Sequence, residues 1–267
     1  MMRIAVTGAT GRMGRTLIQR LADARDAQLS AAMEHAQSEA LGRDAGDCAG
    51  VGSLGVPITA DLAAGCAGSD CVIDFTVPAG TIALLEAAEA AGTAVVLGTT
   101  GFTSEQQRRI EQAATRLAVL QAPNMSVGVN LLFQLVRIAA DAIGDATDVE
   151  LLEAHHRNKI DAPSGTAVRL GQILADRLGR NLDTDAVYGR QGQTGARDDK
   201  TIGFATVRAG DIVGEHTVLF AGTGERLELT HRATSRDNFA IGALRAAAYV
   251  CRQPPGLYSM EDLLGFS

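Results

Sequence analysis

One short stretch of this chain gathers side chains that can move protons and grip an anion: Glu153-Ala-His-His-Arg-Asn-Lys-Ile-Asp-Ala-Pro-Ser-Gly-Thr166. A lysine ammonium can protonate a developing carbanion or hold a carboxylate, and a histidine can do either near neutral pH. His155 and His156 fall at the end of a strand-like run. Their side chains therefore face opposite ways, one towards a cleft and the other towards structure. Lys159 follows after a bend. Ser164 has the type and place of a helix N-cap. The N–H groups of Gly165 and Thr166, with the Thr166 hydroxyl, would then form a site the size of a carboxylate or phosphate. Helix capping alone would use the same residues. A metal site is the competing reading, but adjacent histidines lack i, i+4 geometry and no cysteine or carboxylate completes a ligand set. No metal is expected.

A second motif lies at the start. Gly8-Ala-Thr-Gly-Arg-Met-Gly14 follows a strand-like run and opens a helix-like one. Read from Ala9, it is a dinucleotide-binding fingerprint with alanine in first place. Such a loop needs glycine for a tight turn, for close approach to a pyrophosphate and for helix–sheet packing. Gly8, Ala9, Thr10, Gly11, Arg12 and Met13 are the candidate contacts. Glu34 stands twenty positions past Gly14 at the end of the second strand candidate, where an acid would accept hydrogen bonds from ribose hydroxyls. A glutamate there disfavours a 2′-phosphate, whereas His35 beside it can partly accommodate one. Use of both NADH and NADPH is expected. Gly98-Thr99-Thr100-Gly101 and Ala122-Pro123-Asn124-Met125 each follow a strand, so both lie at the carboxyl edge of the sheet and are expected to line a nicotinamide pocket. Ordinary βα-turn chemistry would also account for them.

The elements that must position these residues change character along the chain. Strand candidates at residues 3–7, 28–33, 71–75, 93–97 and 119–122 alternate with helix candidates at 12–24 and 79–91 and one capped by Ser104. Repeated β-α-β units imply a doubly wound parallel sheet. Residues 42–55 and 179–200 look like loops. After a strand at 148–154 and a helix at 167–178, three strand-like runs (201–208, 211–220 and 226–231) point to a mostly antiparallel meander. Residues 239–250 read as a last helix that packs back on the first domain. The expected architecture is therefore α/β: a Rossmann-type doubly wound parallel sheet in a domain from 1–126 and 236–267, and a smaller α+β domain with an open mixed, largely antiparallel sheet from 127–235.

The 267 residues carry a net charge of −7, which argues against nucleic-acid binding without excluding a small anionic ligand. None of the four cysteines forms a C-x-x-C pair. With no signal peptide pattern, a reducing cytoplasm is the expected compartment. No apolar run is read as a membrane span, and no membrane partner is expected.

Taken together, these segments resemble the 4-hydroxy-tetrahydrodipicolinate reductase (dihydrodipicolinate reductase) family of the diaminopimelate route to lysine. The likeness includes Gly98-Thr-Thr-Gly-Phe102, Asn124-Met-Ser-Val-Gly-Val-Asn130 and Ile202-Gly-Phe-Ala-Thr-Val-Arg-Ala-Gly-Asp-Ile-Val-Gly-Glu-His216, and runs in order through essentially the whole chain. The resemblance implies an NAD(P)H-dependent oxidoreductase. In it, His155 would be proton donor or acceptor and Lys159 a proton donor, while His156, Gly165 and Thr166 would bind a small cyclic dicarboxylate. It also implies a homotetramer joined through the open sheet. His35 departs from the arginine of several relatives, and Met125 from a common aromatic. The rival functions are dehydrogenation of another small amino or keto acid, and NAD(P)H sensing without turnover.

Overall fold

The computed structural model describes residues 1–266 and divides into two compact units, Met1–Val127 with Arg236–Ser267, and Gly128–Ser235. The first unit opens with β1 (Met2–Thr7), α1 (Arg12–Ala22), β2 (Ala27–Met33), α2 (Ala45–Ala49), β3 (Ile58–Thr59) and α3 (Leu62–Ala67). It continues with β4 (Cys71–Asp74), α4 (Pro78–Ala91), β5 (Ala94–Leu97), α5 (Ser104–Ala114) and β6 (Ala118–Gln121). The second unit comprises most of α6 (Val127–Ile143), then β7 (Asp148–His155), α7 (Gly165–Leu178), α8 (Leu182–Asp185), β8 (Ala186–Val187), β9 (Ile202–Arg208), β10 (Gly214–Ala221) and β11 (Arg226–Ala233). The chain returns to the first unit with α9 (Asp237–Val250), β12 (Gly256–Tyr258) and α10 (Met260–Leu264).

The first unit is a seven-stranded parallel sheet in the order β12-β6-β5-β4-β1-β2-β3. Both faces are covered, so the middles of its central strands β1, β4 and β5 are apolar. In β1, Ile4 and Val6 face one layer with Leu17, Leu21 and the α9 alanines Ala240, Ala243, Ala246 and Ala247. Ala5 faces the other, with Leu84, Leu85, Val95 and Ile110. The small residues of α9 let it lie close: a Cβ added at Gly242 would stand 1.8 Å from the Met125 carbonyl oxygen. The chain reverses its direction across the sheet between β1 and β4, the switch point at which such sheets open a crevice.

The second unit is a five-stranded sheet in the order β11-β10-β7-β9-β8. One face packs on α6 and α7 through Leu132, Phe133, Val136, Leu170, Leu174, Val149, Phe204 and Phe220. The other face is open and exposes Leu152 and Val207. The expected meander is only partly found. β10 and β11 form a hairpin, but β9 lies on the far side of β7 and runs parallel to it. Period-2 alternation identifies a strand and its buried face; it carries nothing about which strand lies beside it.

Several elements differ from expectation. The 42–55 segment contains α2, and the 179–200 segment contains α8 and β8. Thr103, not Ser104, caps α5, in a capping box with Gln106. The stretch Val127–Ala146 is long and apolar enough to cross a membrane by length and composition. Here it is the core helix α6, whose apolar positions recur at helical spacing and pack into the second unit. The 239–250 helix is followed by β12, which joins the parallel sheet beside β6, and by α10.

Candidate active site

In the first unit the glycine loop is built as close approach demands. Gly8 has φ +61°, in the left-handed region that favours glycine. Its carbonyl accepts from the Gly11 N–H at 2.9 Å. A Cβ on Gly14 would lie 2.1 Å from that same carbonyl, so this glycine is what lets α1 press against the turn. Gly8, Thr10 and Gly11 line a cavity of about 610 Å³ with Glu34, His35, Phe75 and Val77. Ala9 and Met13 instead pack into apolar layers, and Arg12 is exposed at the helix start.

Glu34 is tied to the loop. Its Oε1 accepts from the Thr10 N–H at 2.9 Å and the Thr10 hydroxyl at 2.6 Å, and its Oε2 from the His35 N–H at 3.2 Å. Partial burial pushes this carboxyl up, but the hydrogen bonds from Thr10 and His35 outweigh it and hold it below the ordinary value. An ionised acid with spare lone pairs is an acceptor for ribose hydroxyls. Bare main chain at Gly8 and Gly11, this carboxylate and the apolar walls fit a dinucleotide.

The turns around this cavity converge on Asp74, a fully buried carboxylate at the tip of β4 that sequence reading passed over. It accepts from the hydroxyls of Thr7 (2.6 Å), Thr76 (2.7 Å), Thr99 (3.0 Å) and Thr81. Thr99 thus braces the turn from within. Gly98 is needed for packing, since a Cβ there would strike the Phe75 ring. Thr99 and Thr100 share a second cavity, of about 590 Å³, with Pro123 and with Leu257 and Tyr258 of β12. The two turns expected to act together therefore meet. Met125 is different: its side chain is buried in the core and its carbonyl lies under Gly242, so it seats the loop and lines neither cavity. Asn124 shapes the same loop, its Oδ1 accepting from the Ser126 N–H at 2.8 Å.

In the second unit, Glu153, His155 and the start of α7 form one network. Glu153 is buried, 3% exposed. Its carboxylate accepts two hydrogen bonds from the Arg208 guanidinium (2.8 and 2.7 Å), one from the Ser164 N–H (3.2 Å) and one from His155 Nδ1 (2.6 Å). Burial alone would raise this carboxyl; the bonds from Arg208 and His155 prevail and hold it ionised. Since a carboxylate only accepts, the His155 proton sits on Nδ1 and Nε2 carries a lone pair. The His155 pKa is lowered, first by burial and further by the Lys159 and Arg208 charges, against the pull of Glu153. The ring is therefore neutral at pH 7. It stands edge-on to His216, 5.1 Å between centroids, and a Cβ at Gly214 would sit 3.0 Å from its Nε2.

His216 continues the network. Burial pushes its pKa down to about 3, so it too is neutral. Its Nε2 meets the Ser164 hydroxyl at 2.9 Å, and that hydroxyl caps α7 by accepting from the Ala167 N–H at 3.2 Å. Beyond Ser164, Gly165 is exposed, and a Cβ there would meet nothing within 4 Å. His156 follows the strand with a buried Nδ1 that has no protein partner. Lys159 donates to both Asp161 oxygens at 2.8 Å, with its own side chain only 21% exposed. The structure thus gathers His155, Lys159, Ser164 and Gly165, and adds Glu153, Arg208 and His216 behind them. Among the described residues no group of His, Cys, Asp and Glu could hold a metal ion.

Comparison with known proteins bears on both units. Residues 2–125 match the family described as dihydrodipicolinate reductase, N-terminus, and residues 128–264 that described as dihydrodipicolinate reductase, C-terminus. The chain belongs to the dihydrodipicolinate reductase family. It is 54% identical over 263 residues to the 4-hydroxy-tetrahydrodipicolinate reductase of Alkalilimnicola ehrlichii, covering 98% of each chain. It is 56% identical over 262 residues to that of Halorhodospira halophila, again covering 98% of each. Among solved structures it resembles the dipicolinate-bound dihydrodipicolinate reductase from Paenisporosarcina sp. TG-14, with a TM-score of 0.76, 26% identity and 97% of each chain covered.

Glu153, Arg208 and His216 lie within the segments that carried the resemblance, yet nothing in their spacing showed that they touch. The signal available was a glutamate two residues before a histidine on a buried strand face. The network gives a direct expectation. In Glu153→Gln the carboxylate no longer favours the His155 imidazolium while Arg208 still opposes it. Followed by NMR, the His155 titration midpoint should lie below 6.5 in the parent protein and lower still in the variant. A midpoint that rises on substitution would sink this account.

Proposed function

We propose that this chain is a nicotinamide-dependent 4-hydroxy-tetrahydrodipicolinate reductase, forming tetrahydrodipicolinate, by way of dihydrodipicolinate, in lysine and diaminopimelate biosynthesis. Family membership over both units supports the activity. The observation that carries the chemistry is a lysine ion-paired to Asp161 and a neutral histidine beside an open helix start in the second unit.

NADH or NADPH, when bound, supplies a hydride to the ring. In our reading Gly8, Thr10, Gly11, Arg12, Glu34, His35, Gly98 to Thr100 and Ala122 to Asn124 hold that cofactor, with Ala9, Met13 and Met125 seating their loops in the core. A cyclic dicarboxylate presents an anion to the N-terminus of α7, where Gly165 and Thr166 supply main-chain N–H groups and a hydroxyl. The absence of a side chain at Gly165 leaves that approach open. The unpartnered Nδ1 of His156 supplies a further polar contact. Lys159 donates the proton that balances the charge arriving in the ring, and Asp161 holds its ammonium in place until then. His155, with Nδ1–H anchored on Glu153, offers Nε2 to accept a proton in the reverse direction or to receive one for delivery.

The open face of the second sheet, with Leu152 and Val207 exposed, supports a homotetramer of this chain. Free thiols at Cys48, Cys66, Cys71 and Cys251 agree with a cytoplasmic place.

The deciding assay follows oxidation of NADH and NADPH with the condensation product of pyruvate and aspartate semialdehyde, made in situ by its synthase. We expect synthase-dependent oxidation, falling about 100-fold or more in Lys159→Ala. Cofactor binding without oxidation would favour a sensor, and oxidation only with another small acid would reassign the substrate. Gly165→Ala separates a ligand contact from a cap. Its Tm should hold or rise, because alanine suits a helix better by up to about 1 kcal/mol, while KM for the dicarboxylate rises. An unchanged KM would remove Gly165 from the substrate site. Light scattering should give four times the 27.8 kDa chain mass; a monomer would refute the tetramer.

A further inference from the structure

We propose that Arg43, with Arg15, forms the site for the 2′-phosphate that distinguishes NADPH from NADH. This rests on the nicotinamide-cofactor reading and deepens it. Two cavities adjoin at the end of β2. Thr10 and His35 line both, whereas Glu34 lines only the larger, loop-side one. A ribose held at Glu34 therefore has its 2′ position at the boundary, facing the second cavity of about 500 Å³. That cavity is walled by Arg15 and Arg43, with Glu39 and Asp47 also on its lining. Among the described residues neither guanidinium makes an ion pair with these or other carboxylates, so neither is already neutralised by a fixed partner.

Both arginines come from backbone that is held. Arg15 is in the first turn of α1, its N–H donating to the Gly11 carbonyl at 3.0 Å. Arg43 is pinned on both sides: its N–H donates to the Ala40 carbonyl at 3.0 Å, and its own carbonyl accepts from the Ile58 N–H at 2.9 Å. The next residue, Asp44, accepts from the N–H groups of Gly46, Asp47, Leu54 and Val56 and so locks the loop that delivers Arg43. A guanidinium offers charge at any working pH and a planar fork that matches phosphate oxygens, which a histidine cannot. A neighbouring histidine at position 35 therefore does not by itself decide against NADPH. The positive group required can be supplied by a residue eight positions later in sequence that the β2–β3 connection brings to the same cavity.

The test measures Kd for NADPH and for NADH by calorimetry on the full chain and on Arg43→Gln and Arg15→Gln. Both positions are exposed, and unchanged Tm and circular dichroism would show the fold intact. We expect Arg43→Gln to weaken NADPH by about tenfold or more and Arg15→Gln by less, with NADH changed less than about twofold in either. Equal weakening of both cofactors by Arg43→Gln, or no change in NADPH, overturns the proposal. A parent protein that binds NADH but not NADPH overturns it while leaving the cofactor reading intact. A parent protein that binds neither overturns both.

Discussion

The carboxylate of Glu153 is the point on which the candidate site of the second unit depends. An ionised acid removed from water is costly unless its oxygens are fully engaged. Here a bidentate guanidinium, an imidazole N–H and a main-chain N–H engage them. Each of those bonds also places something. Arg208 ties β9 to β7. The His155 bond fixes which ring nitrogen keeps the proton. The Ser164 bond sets where α7 begins, and so where its N-terminus can meet an anion. Register makes this possible: His155 pairs with Arg208 across parallel strands, and Val149, Leu151, Glu153 and His155 share the helix-covered face of β7. A slip of one residue would turn Glu153 and His155 to the open face and leave Arg208 without its partner.

The first unit solves a similar problem with neutral donors. Asp74 has no cation among its hydrogen-bond partners; four threonine hydroxyls surround it, drawn from β1, the turn after β4, α4 and the turn after β5. Hydroxyls hold Asp74 in place without bringing a second charge beside the first unit's cavity. An arginine behind His155 does add charge, and it depresses the imidazolium as well as locking Glu153. Asp74 ends β4 and Glu153 lies two residues before the end of β7, near turns of unrelated sequence that must be held to a common geometry.

Much of this was legible in the sequence. The alternation of buried strands and helices at residues 3–122 reads directly as a parallel sheet, because both strand faces are covered and the apolar runs are continuous. Gly14 declared its purpose by its spacing, and the 2.1 Å approach of the Gly8 carbonyl is the physical reason. Ser164 as the cap of α7 was readable too. What could not be read was non-local. β9 lies beyond β7 and not beside β10, and alternation is blind to that. α6 escaped because its apolar face merges with a long apolar stretch. Met125 sat in a turn that pointed to a ligand, yet its side chain went to the core. The partners of Asp74 and Glu153 are separated from them by up to 67 and 55 positions, and no local pattern joins them.

The pairing of Lys159 with Asp161 sets this lysine apart from His155, which meets Glu153. Asp161 is half-exposed, and its carboxyl is held below the ordinary value chiefly by the hydrogen bond from the Lys159 ammonium. Its backbone carbonyl also accepts from Arg208 at 2.6 Å, so the segment bearing it is anchored to the same guanidinium that holds Glu153. Lysine and histidine are therefore fixed to one scaffold through two different carboxylates. Burial, Lys159 and Arg208 keep His155 without a charge, while the ammonium remains partnered and partly exposed. Under the proposed activity, lysine is the standing acid and histidine the acceptor, an asymmetry set by burial and by which carboxylate each one meets.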